Sequence, residues 1–325
     1  MSGAAALVLI DLQTAIDDPS WGVRNHPHAE ARARRMLTLW RHLRWPLFHI
    51  RHDSRDPQST YRPGQAGHAF KAETAPQEGE RVLAKNTCNA FASTDLAAHL
   101  RAAGASRVFV CGVITNNSVE STVRAGGDLG FSMYLAEDAC FTFGKGRWPA
   151  QDVHDLSVAN MEGEYAVITT SARVVTGYLD GLFEMPQAQV GLRAAGIAWR
   201  SNGGDALVLA ALLGAVPGLP LRDLGFADAV CSLVEQRITT LRYLAGRDAT
   251  RQGLTAEDLE LVVRHGGPLS DYQSEIFGDR AVSFTLLRLR QFEEQARLPG
   301  AATPPFADIR SIVEAHLNGA PSQQA

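Results

Sequence analysis

Through the first half of the chain, short apolar runs alternate with longer segments whose apolar positions recur at helical spacing. The runs occupy residues 5–10, 46–51, 81–84, 107–112, 133–137 and 165–169, and each reads as a strand. Residues 28–43 set Met36, Leu37, Leu39, Trp40 and Leu43 on a helical stripe. Residues 94–103 predict a second helix that stops at Gly104, a residue suited to a left-handed C-terminal cap. Such alternation predicts an α/β fold, a parallel sheet with helices on both faces, in which ligands bind beyond the carboxyl ends of the strands.

After about Leu182 the strand signals fade. Glu184-Met-Pro-Gln starts a linker, and helical patterns follow at 205–213, 223–245 with a break, 255–264 and 283–297. The expected organisation is an α/β domain at 1–182, a smaller all-α domain at 183–298, and a tail at 299–325 that frays or wraps a partner. A length of 325 residues agrees with two domains, since single cores seldom grow past about 250–300 residues.

The run 107–112 ends at Gly112, and small polar residues from Ser118 open a helical pattern that continues to Gly126. A strand, a sharp turn and a helix start gather backbone N–H groups at the positive end of a helix dipole. A nucleophile and its oxyanion hole are readily built there. Ser118 is therefore a candidate nucleophile; the bland alternative is a helix cap. Asp11 ends the first apolar run, where a carboxylate needs a partner. Lys85 ends the third run and is the obvious cation for it, either as part of a site or as an ion pair that only stabilises the fold. Arg51 and His52 are candidates for gripping a polar or anionic substrate group, or else simply end a strand at the surface, and Thr115, Asn116 and Asn117 line the turn. Residues 53–76 are long and polar enough to form a pocket-shaping loop walled by Tyr61 and Phe70, and 17–25 with Trp21 holds a similar place. His49, His52 and Asp53 do not have the spacing of a closed zinc set, so no metal is expected there.

Composition narrows the function classes. Hydrophobic residues make up 45% and charged residues 20%, ordinary for a globular protein with ample core. A formal net charge of -4 argues against a general nucleic-acid binder. Four irregularly spaced cysteines suggest a reducing, cytoplasmic setting; Cys88, Cys111 and Cys140 read as small packing groups. The early apolar run is cut at Asp11 and reads as a strand, not a signal peptide, and no apolar stretch approaches the roughly 20 residues that span a bilayer.

Three blocks carry a resemblance: Ala6-Leu-Val-Leu-Ile-Asp11-Leu-Gln13, Val82-Leu-Ala-Lys85-Asn-Thr-Cys-Asn-Ala-Phe91, and Gly112–Thr122 followed by Gly127-Asp-Leu-Gly-Phe131 and Glu137-Asp-Ala139. From about residue 5 to 175 the chain resembles the isochorismatase-like cysteine hydrolases. The resemblance implies a hydrolase that cleaves the C–N bond of a small amide, ureido or carbamoyl compound through an acyl-enzyme, without a cofactor, in a dimer or tetramer. Asp11 and Lys85 match the catalytic aspartate and lysine. A cis peptide is implied between Val113 and Ile114, with the N–H groups of Ile114 and Ser118 forming the oxyanion hole. Ser118 stands where the family has its nucleophilic cysteine. The serine is either an introduced change that traps a ligand or the natural residue, and some members without the cysteine hydrolyse an enol ether instead. A catalytically silent binding or regulatory protein is the rival from another class. His154 lies in a helix resembling a recurrent one of a subfamily, as a structural or subunit-contact residue.

The second half resembles, more weakly, the helical core of HD-domain oxygenases, through 205–213, 233–244, 265–270 and 287–294. The ligand positions depart: Gly214-Ala215 replace His-Asp, Arg237 replaces a histidine, and Glu293 or Glu294 stands for the last aspartate. Too few ligands remain for a di-iron site, so the module is expected to be metal-free and used for packing, oligomerisation or covering the active site.

Overall fold

The computed structural model describes residues 5–248 and 253–319. The chain divides into two compact units, Met1–Val175 and Thr176–Ala325. In the first, strands β1 (Ala5–Ile10), β2 (Leu47–His52), β3 (Arg81–Lys85), β4 (Arg107–Val113), β5 (Ser132–Phe141) and β6 (Ala166–Thr169) alternate with helices. The helices are α1 (Ala29–Leu43), α2 (Ala90–Ser93), α3 (Leu96–Ala102), α4 (Glu120–Asp128), α5 (Ala150–Met161) and α6 (Ser171–Phe183). The strands pair in parallel in the order β3-β2-β1-β4-β5-β6, so the expected fold class is observed. Every residue of β1 is buried, as both faces of a covered parallel sheet require. Helix α1 contributes Met36, Leu37, Leu39 and Trp40, all fully buried, and the Trp40 indole donates to Ala5 O at 2.9 Å.

The strand order reverses between β1 and β4, so the carboxyl ends of these two strands flank the crevice typical of ligand sites in open sheets. Gly112 lets the strands approach there. Its φ is +126°, and a Cβ at this position would lie 2.2 Å from Ile10 O. Strand β5 runs on beyond the predicted 133–137 to Phe141, and its register with β4 jumps between Val110 and Gly112. Residues 136–139 bulge from the ladder with β4, and Asp138 accepts from Ser171 N at 2.7 Å and Ser171 Oγ at 2.8 Å at the start of α6.

The division between units falls inside α6, not at 182/183; Pro186, the helix-breaking signal, comes only after the helix has ended. The second unit holds α7 (Gln189–Arg200), α8 (Asp205–Leu213), α9 (Asp228–Glu235), α10 (Arg237–Asp248), α11 (Ala256–Arg264), α12 (Asp271–Gly278), α13 (Ala281–Arg297) and α14 (Ala307–Leu317). Helix α8 is buried from Leu207 to Leu213 and forms the centre, with α7 and α13 against it. The predicted break in 223–245 falls at Gln236. The tail expectation needs correction: Phe306, Ile309, Val313 and Leu317 are buried on one stripe of α14, and Phe306 stacks on Phe183 at 5.6 Å. The closing Pro-Ser-Gln-Gln-Ala lies outside the described residues. Three positions singled out in sequence converge: Arg237 donates to Glu293 Oε1 at 2.5 Å and to Gly214 O.

Candidate active site

Asp11 follows the last residue of β1 with φ +52°, and its side chain is buried. Lys85 closes β3 and is also buried, in register with His52 at the end of β2. Lys85 Nζ donates to Asp11 Oδ2 at 2.6 Å and to Ser118 Oγ at 3.2 Å, and lies 3.1 Å from both Thr87 O and His52 Nδ1. An ammonium has three hydrogens, so four acceptors share them. Ser118 sits in a single wide turn, Thr115–Val119, that leads into α4, with the positive end of that helix beside it. The Val113–Ile114 peptide at the foot of the turn is cis.

Burial dominates the electrostatics of Asp11. It pushes the carboxyl pKa up to about 6, although the Lys85 charge and the nearby Ser118 hydroxyl pull it down. Asp11 Oδ1 is buried without a hydrogen-bond partner, which leaves a basic oxygen free for a proton. Burial and the Lys85 charge together push His52 down to about 4, against a smaller pull from Asp53. The imidazole is therefore neutral at neutral pH and accepts from the ammonium through Nδ1.

The other candidates divide. Thr115 is buried and bonds His154 Nδ1 at 3.0 Å, and Asn116 Oδ1 accepts from Thr142 Oγ1 at 2.5 Å. Asn117 is exposed. Strand alternation turns Arg51 away from the Lys85 face, where Asp53 binds its guanidinium at 2.8 and 3.2 Å. Phe70 pairs in a short bridge with Gln13 and meets the His49 ring at 6.0 Å. None of these contacts brings Arg51 or Phe70 to Asp11, Lys85 or Ser118. A cleft of about 550 Å³ lies beside the turn, lined by Asn116, Lys145, Trp148, Val153 and Leu156 among others. A larger one of about 660 Å³ opens at the amino ends of β2 and β3, away from this chemistry.

Two contributors had no such role assigned from the sequence. Gln13 is fully buried: its carbonyl accepts from His52 N at 2.7 Å, and its amide donates to His52 O at 3.2 Å and His68 O at 3.0 Å. Tyr61, expected only as a wall, donates to Asp11 O at 3.3 Å and packs edge-on against His52. Both contacts are long-range and fall in loops, where no periodicity marks a partner.

A doubly wound parallel sheet with a carboxylate, an ammonium and a hydroxyl gathered at its switch point is the class that the geometry defines. The family model for the isochorismatase domain matches residues 5–173, and the chain belongs to that family. The uncharacterized isochorismatase family protein YrdC of Bacillus subtilis is 32% identical over 184 residues, covering 55% of this chain and 98% of that protein. The ureidoacrylate amidohydrolase RutB of Azorhizobium caulinodans is 31% identical over 105 residues, 32% of this chain and 44% of its own length. A crystal structure of an isochorismatase-family protein from Chromobacterium violaceum is 53% identical, with a TM-score of 0.52, covering 54% of this chain and 93% of the other. The family thus includes hydrolases, amidohydrolases among them. No helix among the described residues is long and apolar enough to cross a membrane.

Proposed function

We propose that the sheet unit is a hydrolase site for the C–N bond of a small amide, ureido or carbamoyl compound. The observation that carries this reading is the reach of Lys85 Nζ to both Asp11 and Ser118. Residue 118 attacks the carbonyl carbon, and Asp11 takes the nucleophile's proton and gives it to the leaving amine. Lys85 stabilises the anionic form of the pair, and backbone N–H groups of Ile114 and Ser118 hold the tetrahedral oxyanion. Water then releases the acyl group. His52, Thr115 and Asn116 shape the polar side of the pocket. With serine at 118 the step is slow, because a lone carboxylate is a weak base for a hydroxyl. The second unit is proposed as a metal-free helical module in which the Arg237 guanidinium occupies the place of a metal between Gly214 and Glu293. Assembly as a dimer or tetramer belongs to the same reading and is checked by light scattering.

The test is to incubate the protein and Ser118→Cys with a panel of amides and ureido acids. Ammonia is assayed, and the intact protein mass is followed for an acyl adduct. Adduct and ammonia from the cysteine form support the reading. Inertness with every amide favours a silent binding protein, and pyruvate-type products without ammonia favour enol-ether hydrolysis.

A further inference from the structure

We propose that the sheet unit carries a divalent transition-metal site, of the kind that takes Zn²⁺ or Co²⁺, formed by His26, Glu137 and His154. The ligands come from three places: the loop before α1, the bulge in β5 and the early part of α5. One ligand atom from each lies within 4.8 Å of the others. His154 Nε2 and Glu137 Oε2 are 3.3 Å apart, about the edge of a tetrahedron with bonds of roughly 2.0–2.1 Å. The two imidazole rings meet edge-on at 4.4 Å.

The second nitrogen of each ring separates this group from a chance pair of polar side chains. His26 Nδ1 lies 2.8 Å from Cys140 O, a carbonyl that only accepts, so Nδ1 carries the proton and Nε2 offers a lone pair. His154 Nδ1 is taken by Thr115 Oγ1, which leaves Nε2 facing Glu137. Metal-binding histidines are almost always held in this way by an oxygen behind the ring. The loop that bears His26 is itself fastened: Asn25 N donates to Thr142 O at 3.2 Å, and Thr142 N donates to Asn25 Oδ1 at 2.8 Å. Glu137 keeps 30% of its side chain exposed, which admits water or a small ligand to a fourth position. Arg32 acts on Glu137 from α1, and its charge lowers the affinity for a cation. Thr115 opens the turn that holds Ser118, so an ion bound to His154 stiffens that turn. The site stands on its own geometry, whatever reaction the neighbouring residues perform.

The experiment uses untagged full chain, stripped with a chelator and desalted. It is titrated with Co²⁺ by visible absorption and with Zn²⁺ by calorimetry. Uptake of one ion per chain is expected. His26→Ala and Glu137→Gln should weaken it by ~100-fold or more, and Thr115→Val by ~10–100-fold. His68→Ala, whose ring pairs with Asp53, should bind as the parent does. Melting curves without metal show which variants are folded; if His26→Ala is not, Glu137→Gln and Thr115→Val decide. Failure of the parent to take up a stoichiometric ion overturns the proposal, as does uptake that folded His26→Ala or Glu137→Gln proteins retain in full.

Discussion

Replacing Lys85 by methionine tests the arrangement at its centre. Methionine keeps much of the stem's volume but leaves Asp11, buried and 2.6 Å from the lost ammonium, without a cation. Removing one partner of a buried ion pair costs about 3–5 kcal/mol. That cost must depend on pH. Folded Asp11 already titrates at about 6, above its ordinary 3.8, so the folded protein binds this proton more tightly than the unfolded chain does. In the parent, the contribution of Asp11 to stability therefore falls as pH rises from 3.8 to about 6 and is level above that. Without Lys85 the folded pKa climbs further, and the fall continues past pH 6. Near pH 5 the carboxyl is protonated in the variant, and the loss should be that of a broken hydrogen bond, about 1–3 kcal/mol. Near pH 8 it should reach about 3–5 kcal/mol. At roughly 2–4 °C per kcal/mol for a unit of this size, the second figure is a melting shift of about 6–20 °C. Circular-dichroism melts of both proteins at matched ionic strength supply the comparison. A shift that does not grow with pH, or none at all, refutes the pairing.

Ser118→Cys should raise amide turnover by about 10³-fold, because a thiol near ~8.5 lies ~7 units below a hydroxyl near ~16 and about half of that gap reaches the rate. Its kcat/KM should increase with pH through about 6 as Asp11 loses its proton, and a flat profile would remove Asp11 from the base role. Gly112→Ala places a Cβ 2.2 Å from Ile10 O at a φ of +126°; little soluble protein should result, and an unchanged melting temperature would contradict the close approach. Arg237→Met takes the 2.5 Å partner from the Glu293 carboxylate, leaving it only Arg290 at 4.0 Å, and should cost about 1–3 kcal/mol in denaturant titrations. Adding Glu293→Leu should restore most of that loss; a double variant no better than the single one would show that the charge pair is not the cause.

The sheet was legible because short apolar runs recur at intervals between helical stripes, most plainly β1, which is buried throughout. Asp11 and Lys85 stood out because each places a charge at the end of such a run, and Gly112 because a glycine interrupts one. Strand alternation, visible in principle, turns Arg51 from the face that holds His52 and Lys85, yet the sequence does not say which parity faces the site. Helix α14 was hidden because the prolines before it suggested a tail, while its stripe of Phe306, Ile309, Val313 and Leu317 is short and sparse. Helix α12 had a readable start, Ser270 with Gln273 as a capping box, but little apolar periodicity behind it. His26, Glu137 and His154 come from a loop, a bulged strand and a helix, and neither that loop nor the bulge leaves a mark in hydropathy.

The Gln13 side chain has a dynamic consequence. Its three hydrogen bonds stitch the first two strand ends to the loop that carries His68, so this side of the crevice cannot swing outward while they hold. The His52 amide proton, locked onto the Gln13 carbonyl, will exchange with deuterium only when the stitch comes undone, and its rate is a direct clock for that opening.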